Sequence, residues 1–91
     1  MNAPFNQRFD DLDPAQQAGI LCNDPRFQQF VGTRTIKSGV TVTSSGCAEY
    51  IRTICKVTSR RQLTHNPDAQ ARFQSLRTEF DAWTGKITTP R

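Results

Sequence analysis

The residue types that could hold a metal are three cysteines and one histidine: Cys22, Cys47, Cys55 and His65. Three thiolates and one imidazole are a ligand set that structural zinc accepts. Zinc modules, however, use closely spaced cysteine pairs, whereas the nearest two cysteines here, Cys47 and Cys55, lie eight residues apart on one predicted helix. That spacing is about 12 Å along a helix axis, which also excludes a disulfide between them while the helix is intact. We predict buried free thiols, no metal and no other cofactor.

Nucleophilic catalysis would need a cysteine or serine, a histidine and a carboxylate brought together by the fold. The only histidine lies in the polar sequence Thr64-His65-Asn66-Pro67, which is typical of a solvated turn. The sequence contains no glycine-rich phosphate loop and no HExxH motif. The acidic residues Asp10, Asp11 and Asp13 are explained by helix capping and solvation. We therefore predict that the protein is not an enzyme.

Positive charge is concentrated in the middle of the chain, although the formal net charge of the whole chain is only +4. Residues 31–63 sum to +5, whereas residues 1–30 sum to −2. The six basic residues of the middle segment are Arg34, Lys37, Arg52, Lys56, Arg60 and Arg61. We select them as candidate contacts because such a surface suits a phosphate backbone or an acidic protein surface. A solvated basic face without a ligand is the alternative interpretation.

Helix capping signals and apolar spacing predict the elements that would position these residues. Asp13 followed by Pro14 and Gln16 forms a capping box for a helix over about residues 14–22. Asn23-Asp24-Pro25 repeats the signal for a second helix that ends at Gly32. Ser44-Ser45-Gly46 predicts a third helix over about residues 47–57, with Ile54 among its inward residues.

The C-terminal part of the chain predicts a short helical turn and one long helix. Ser59 with Gln62 forms a capping box for the turn, and Asn66 caps the long helix, which ends at Gly85. Apolar residues recur along the long helix at spacings of three and four, as expected for a buried stripe. The stripe consists of Ala69, Phe73, Leu76, Phe80 and Trp83.

Residues 33–43 change from a helical period to a period of two. Alternating Thr33-Arg34-Thr35-Ile36 and Val40-Thr41-Val42-Thr43 flank Ser38-Gly39, which indicates a short β-hairpin or, equally, a long loop. The predicted fold class is therefore mainly α: a small four- or five-helix domain over residues 13–91 with a long C-terminal helix and a short hairpin between helices 2 and 3. Residues 1–12 form an N-terminal arm whose Phe5 and Phe9 are candidate anchors for a partner or a second copy of the chain.

Size and composition indicate one small domain, since the chain has 91 residues of which 35% are hydrophobic. No apolar run approaches the length of about 20 residues that crosses a bilayer, so no membrane partner is expected. The odd number of cysteines without an apparent signal peptide favours a reducing compartment. We expect a protein of the cytoplasm of a host cell.

Three segments resemble small proteins encoded by proteobacterial phages and prophages. They run from Asp13 to Val31, from Ala48 to Leu63 and from Phe73 to Gly85. The resemblance brings no catalytic motif and therefore assigns no functional residue. It implies a role either in blocking host defence, as anti-CRISPR proteins do, or as an accessory of phage replication or recombination.

The sequence and this resemblance together predict a non-enzymatic interaction protein that binds and blocks a host nucleic-acid-processing or defence complex. Its partner would be a host protein or ribonucleoprotein complex, and homodimer formation through Phe5 and Phe9 is a further expectation. The alternative is a DNA-binding accessory protein of recombination or replication, which would contact phosphates through the same basic residues.

Overall fold

A computed structural model of the chain describes residues 9–35 and 40–85, without the side chain of Asp10. The described residues form four α-helices: α1 (Pro14–Cys22), α2 (Pro25–Thr35), α3 (Ser44–Cys55) and α4 (Pro67–Thr84). Two short 3₁₀ helices, Phe9–Asp11 and Arg60–Thr64, precede α1 and α4 respectively. The prediction of a mainly α fold with a long C-terminal helix is confirmed.

Local capping chemistry sets the ends of α1 and α4 as the sequence predicts. The Asp13 side chain accepts a hydrogen bond from the Gln16 backbone N–H at 3.0 Å, and the Gln16 side chain accepts one from the Asp13 N–H at 3.3 Å. At the start of α4, the Asn66 side chain accepts from the Ala69 N–H at 3.0 Å. Gly85 ends α4 in the left-handed region at φ 87°, where glycine has no side-chain penalty.

The core forms where the apolar stripe of α4 meets α2, α1 and α3. Phe80 of α4 packs edge-on against Phe27 of α2, with ring centroids 5.1 Å apart, and contacts Phe30 at 5.4 Å. Leu63 of the second 3₁₀ helix is also fully buried in this core. The three cysteines are buried here as free thiols, as predicted.

The hairpin prediction is wrong for the part of residues 33–43 that the structure describes. Helix α2 continues past Gly32 to Thr35, and Val40–Thr43 form no strand. The hydroxyl groups of Thr33 and Thr35 donate to the Phe30 and Val31 carbonyls inside the helix, so these threonines are helical and not extended. The predicted turn Ser38-Gly39, together with Ile36 and Lys37, lies outside the described residues.

Gly32 serves a close backbone approach and does not end a helix. A Cβ atom at this position would lie 1.8 Å from the Val40 carbonyl oxygen, well inside van der Waals contact. The same returning segment is attached to α2 by a hydrogen bond from the Val42 N–H to the Gln28 carbonyl, at 3.2 Å. The absence of a side chain at Gly32 therefore lets residues 40–43 lie directly on α2 before α3 begins.

Three further details of the sequence prediction are corrected. Helix α3 begins earlier than predicted, because Thr43 caps it by accepting from the Gly46 N–H at 3.1 Å. Ser59 makes no capping hydrogen bond; instead the Gln62 side chain accepts from the Thr58 N–H at 2.7 Å. Ile54 is 38% exposed and Trp83 is 44% exposed, so both lie at the edge of the core.

Part of the predicted N-terminal arm is packed against the helices. The buried Gln17 side chain of α1 donates to the Phe9 carbonyl at 3.1 Å and to the Leu12 carbonyl at 2.9 Å. The Arg77 guanidinium of α4 lies 4.7 Å from the centre of the Phe9 ring. Phe9 is thus engaged within the chain, and its role as a partner anchor stays a prediction. None of the described helices is both long and apolar enough to cross a membrane.

We expect Gly32→Ala to destabilise the fold by about 2 kcal/mol or more, because the new methyl group would displace residues 40–43 from α2. Urea unfolding followed by circular dichroism measures the change. Gly19→Ala, in α1, is the matched control. Its methyl group would meet only the flexible end of Arg60 at 3.3 Å, so a neutral or slightly stabilising effect is expected. Equal stability of both variants would contradict the packing described for Gly32.

Candidate functional site

The connection between α3 and α4 carries a group of exposed basic side chains. Lys56 ends α3 in the left-handed region at φ 60°, and the Val57 N–H donates to the Arg52 carbonyl at 3.0 Å, which fixes the exit of the chain. The chain then enters the 3₁₀ helix Arg60–Thr64, whose Leu63 is fully buried. Because this short element is anchored at both ends, its charged residues are held outward in a defined arrangement.

Lys56, Arg60, Arg61 and His65 are all exposed, and we refer to these four residues as the basic surface. They line three adjoining clefts with volumes of about 410, 490 and 500 Å³. Arg61 and His65 lie between the first and second clefts, and Arg60 lies between the second and third. The clefts therefore form one concave strip across the face that α1 shares with the 3₁₀ helix.

The side chains between these cations are mainly amides and hydroxyls. The first cleft is completed by Thr58, Gln62 and Asn66, and the second by Gln16 and Thr64. Among the described residues, the carboxylate that lines the strip is Asp13, which is already used as the N-cap of α1. It also accepts a hydrogen bond from the Thr64 hydroxyl at 3.4 Å. The strip can therefore bind anions through several donors.

Within the described residues, Lys56, Arg60 and Arg61 form no ion pair with a carboxylate. Ion pairs engage other arginines of the chain instead. Arg52 pairs with Glu49 at 2.7 Å, one turn earlier in α3, and is only partly exposed. Of the predicted site residues, Lys56, Arg60 and Arg61 are thus brought together without a carboxylate partner in the described part of the chain, whereas the charge of Arg52 is partly neutralised.

Arg34 lies in a different place from the other predicted contacts. Arg34 lies in the last turn of α2 and pairs with Glu79 of α4. Its guanidinium carbon lies 5.0 Å from the centre of the Phe30 ring. It lines a separate cleft between α3 and α4, beside Tyr50. The described structure therefore does not join Arg34 to the basic surface. Lys37 and Phe5 lie outside the described residues.

His65, Thr58 and Thr64 are members of the strip that the sequence analysis did not select. His65 is exposed, as a residue of a polar turn should be, but it also stands between two cationic clefts. The only local signal for this position is that His65 follows Arg61 by four residues. His65 lines the same cleft as Asp13 because the 3₁₀ helix packs against α1, and no local sequence pattern predicts that packing.

The cysteines do not form a second site. Burial raises the pKa of the Cys47 thiol to about 11, and it also raises the pKa values of Cys22 and Cys55. For Cys22 the positive charge of Arg60 opposes this effect without cancelling it. Within the described residues, no group of three or more histidine, cysteine or acidic side chains is arranged to hold a metal ion. The thiols are therefore protonated core residues at neutral pH.

Comparison of the chain with protein-family models, with characterised proteins and with solved structures finds no match. The support for a functional surface is accordingly its own geometry: exposed cations, adjoining clefts and a rigid backbone. No residue role is transferred from another protein.

We expect all three thiols of the folded protein to resist a small disulfide reagent at mildly alkaline pH, because each is buried and its pKa is raised. The same reagent should modify all three thiols once urea has unfolded the chain. Absorbance of the released thiolate measures the reaction. Rapid modification of any cysteine in the folded protein would contradict its burial.

Stability should also fall as the pH rises above about 9. An unfolded Cys47 thiol loses its proton near its ordinary pKa of 9.0, whereas the folded thiol keeps its proton up to about 11. The stabilising contribution of this group is complete below pH 9 and disappears between pH 9 and pH 11. Urea unfolding at a series of pH values should therefore give a shallower alkaline decline for Cys47→Ala than for the native protein. The same alkaline loss of stability in both proteins would contradict a raised pKa for Cys47.

Proposed function

We propose that this protein is a non-enzymatic interaction protein that binds a nucleic-acid-processing or defence complex of the host cell and blocks it. The observation that carries the proposal is the basic surface. Three exposed cations, none paired with a described carboxylate, line one continuous concave strip. Surfaces of this kind are suited to long-range attraction of an acidic partner.

Two features of the chain support binding in preference to catalysis. The thiols that could act as nucleophiles are buried and held protonated, so they cannot reach or attack a substrate in the folded state. The single histidine is surrounded by Lys56, Arg60 and Arg61, and it forms no ion pair with a described carboxylate that could orient it as a base. Because neither the thiols nor the histidine is arranged for catalysis, anion binding is the function that this surface supports best.

The proposed inhibition is occlusion. The positive strip steers the small domain onto an acidic working surface, and the rigid 3₁₀ helix holds the cations in register once contact is made. Loss of backbone entropy on binding is small, because Leu63 and the Gln62–Thr58 hydrogen bond already fix the backbone of this element, so the entropic cost falls mainly on the exposed cationic side chains. A phage origin stays a prediction from the sequence, and with it we propose a target among the host enzymes that act on phage nucleic acid.

Reversal of one charge at the centre of the strip, Arg61→Glu, should weaken partner capture at least about tenfold, because it replaces attraction by repulsion in two clefts. The measurement is retention of host complexes from a bacterial lysate on immobilised protein, quantified by mass spectrometry. The purified target is then assayed for activity with and without added protein.

The matched control is Arg26→Glu, which makes the same change of net charge in the first turn of α2 and does not line the strip. Both variants should keep the native circular dichroism spectrum. Retention of a discrete complex by the native protein and by the control, but not by Arg61→Glu, supports the proposal. Equal capture by all three proteins, or a captured complex whose activity the protein leaves unchanged, would refute it.

A further inference from the structure

We infer that the basic surface binds the phosphodiester backbone of a nucleic-acid duplex and makes no selection among bases. This inference rests on the proposed function. It states that the strip contacts the nucleic acid of the blocked complex and not the carboxylates of its protein. The shared ligand chemistry is the phosphate diester, which duplex DNA and duplex RNA both supply.

The serial arrangement of the clefts is the first argument. Arg60 and Arg61 are consecutive residues, yet they lie on opposite sides of the middle cleft, and each also lines an outer one. Lys56 adds a cation at one end of the strip. A polymer that repeats the same anion at regular intervals can place one phosphate in each cleft. Carboxylates on a folded protein surface have no such repeat.

The shortage of apolar anchors near the strip is the second argument. High-affinity protein interfaces depend on a few large apolar or aromatic side chains that fill pockets. The large hydrophobic residues exposed within the described structure are Ile20, Ile54 and Trp83, and only Ile20 borders the strip. The rest of the lining combines cationic, amide and hydroxyl groups with Leu12, Ala15 and Val57 and with the Asp13 carboxylate. None of these three apolar residues is a large exposed side chain of the kind that anchors a tight protein interface.

The absence of phenylalanine, tyrosine and tryptophan from the described lining of the strip distinguishes a duplex from a single strand. Proteins that bind single strands stack bases on exposed aromatic rings. The described aromatic residues line none of the three clefts, and Tyr50 lies in the separate cleft between α3 and α4. Contacts limited to phosphates fix position without reading sequence. A paired strand, whose bases are already stacked, fits this lining best.

The test is fluorescence anisotropy of labelled oligonucleotides titrated with the full chain at several salt concentrations. The probes are a DNA duplex, an RNA duplex of the same sequence, a duplex of unrelated sequence and a single DNA strand. We expect micromolar binding to the duplexes, independent of sequence. Three phosphate contacts predict a slope of log affinity against log salt of about −3.

Arg61→Gln should weaken duplex binding about tenfold at low salt and make the slope shallower by about one unit. The matched control is Arg72→Gln. Like Arg61, Arg72 pairs with no described carboxylate, but it lines the cleft between α3 and α4. The control should bind duplex within about twofold of the native protein and keep the native slope. Circular dichroism and thermal unfolding confirm that both variants are folded.

Three results would overturn the inference: no duplex binding by the native protein at low salt, equal weakening by the two substitutions, or tighter binding of the single strand than of the duplex. Failure here is distinguishable from failure of the proposed function. A host complex that is captured and blocked through Arg61, with no affinity for free duplex, leaves the proposed function standing and assigns the strip to protein carboxylates. Duplex binding without any blocked complex supports the inference and identifies an accessory nucleic-acid-binding protein instead.

Discussion

The packing of the α4 stripe against Phe27 and Phe30 is the interaction on which the rest of this small structure depends. Phe80 contacts both rings, and Trp83 extends the cluster by packing 5.7 Å from Phe30. A chain of 91 residues has few other large side chains, so this cluster supplies much of the apolar burial that offsets the entropy of ordering the helices. The remaining helices are arranged around it, and the cysteines fill the smaller spaces between them.

The packing of this core also determines which basic side chains are exposed. Leu63 is drawn into it from the 3₁₀ helix, and Val57 is almost fully buried at the start of the same connection. With these two residues facing inward, Arg60 and Arg61 between them stay exposed, with the end of Arg60 beside Gly19 of α1. Lys56 is exposed at the end of α3. Two of the four residues of the basic surface are therefore exposed because buried apolar residues flank them on both sides. A sequence without a recognisable motif can build a defined basic surface in this way.

Local chemistry could be predicted from the sequence, and long-range contact could not. The capping box at Asp13, the cap at Asn66 and the end of α4 at Gly85 each depend on residues within one turn, and all three are confirmed. The segment after Gly32 was misjudged because a glycine required by the distant Val40 carbonyl looks the same in sequence as a helix terminator. The pair between Arg52 and Glu49 is local by contrast, because residues three apart on a helix are neighbours, and helical spacing is sufficient to predict it.

The distribution of paired and unpaired cations argues that the basic surface is not explained by stability. Arg34 joins α2 to α4 through Glu79, and Arg26 is balanced by Asp24. Lys56, Arg60 and Arg61 make no such pair with a described carboxylate, so ion pairing within the described structure does not account for them. Acidic residues are available in this chain, but the one that reaches the strip, Asp13, is used to cap α1. Exposed cations without a described carboxylate partner, on a backbone held by the core, agree with the anionic ligand that we propose.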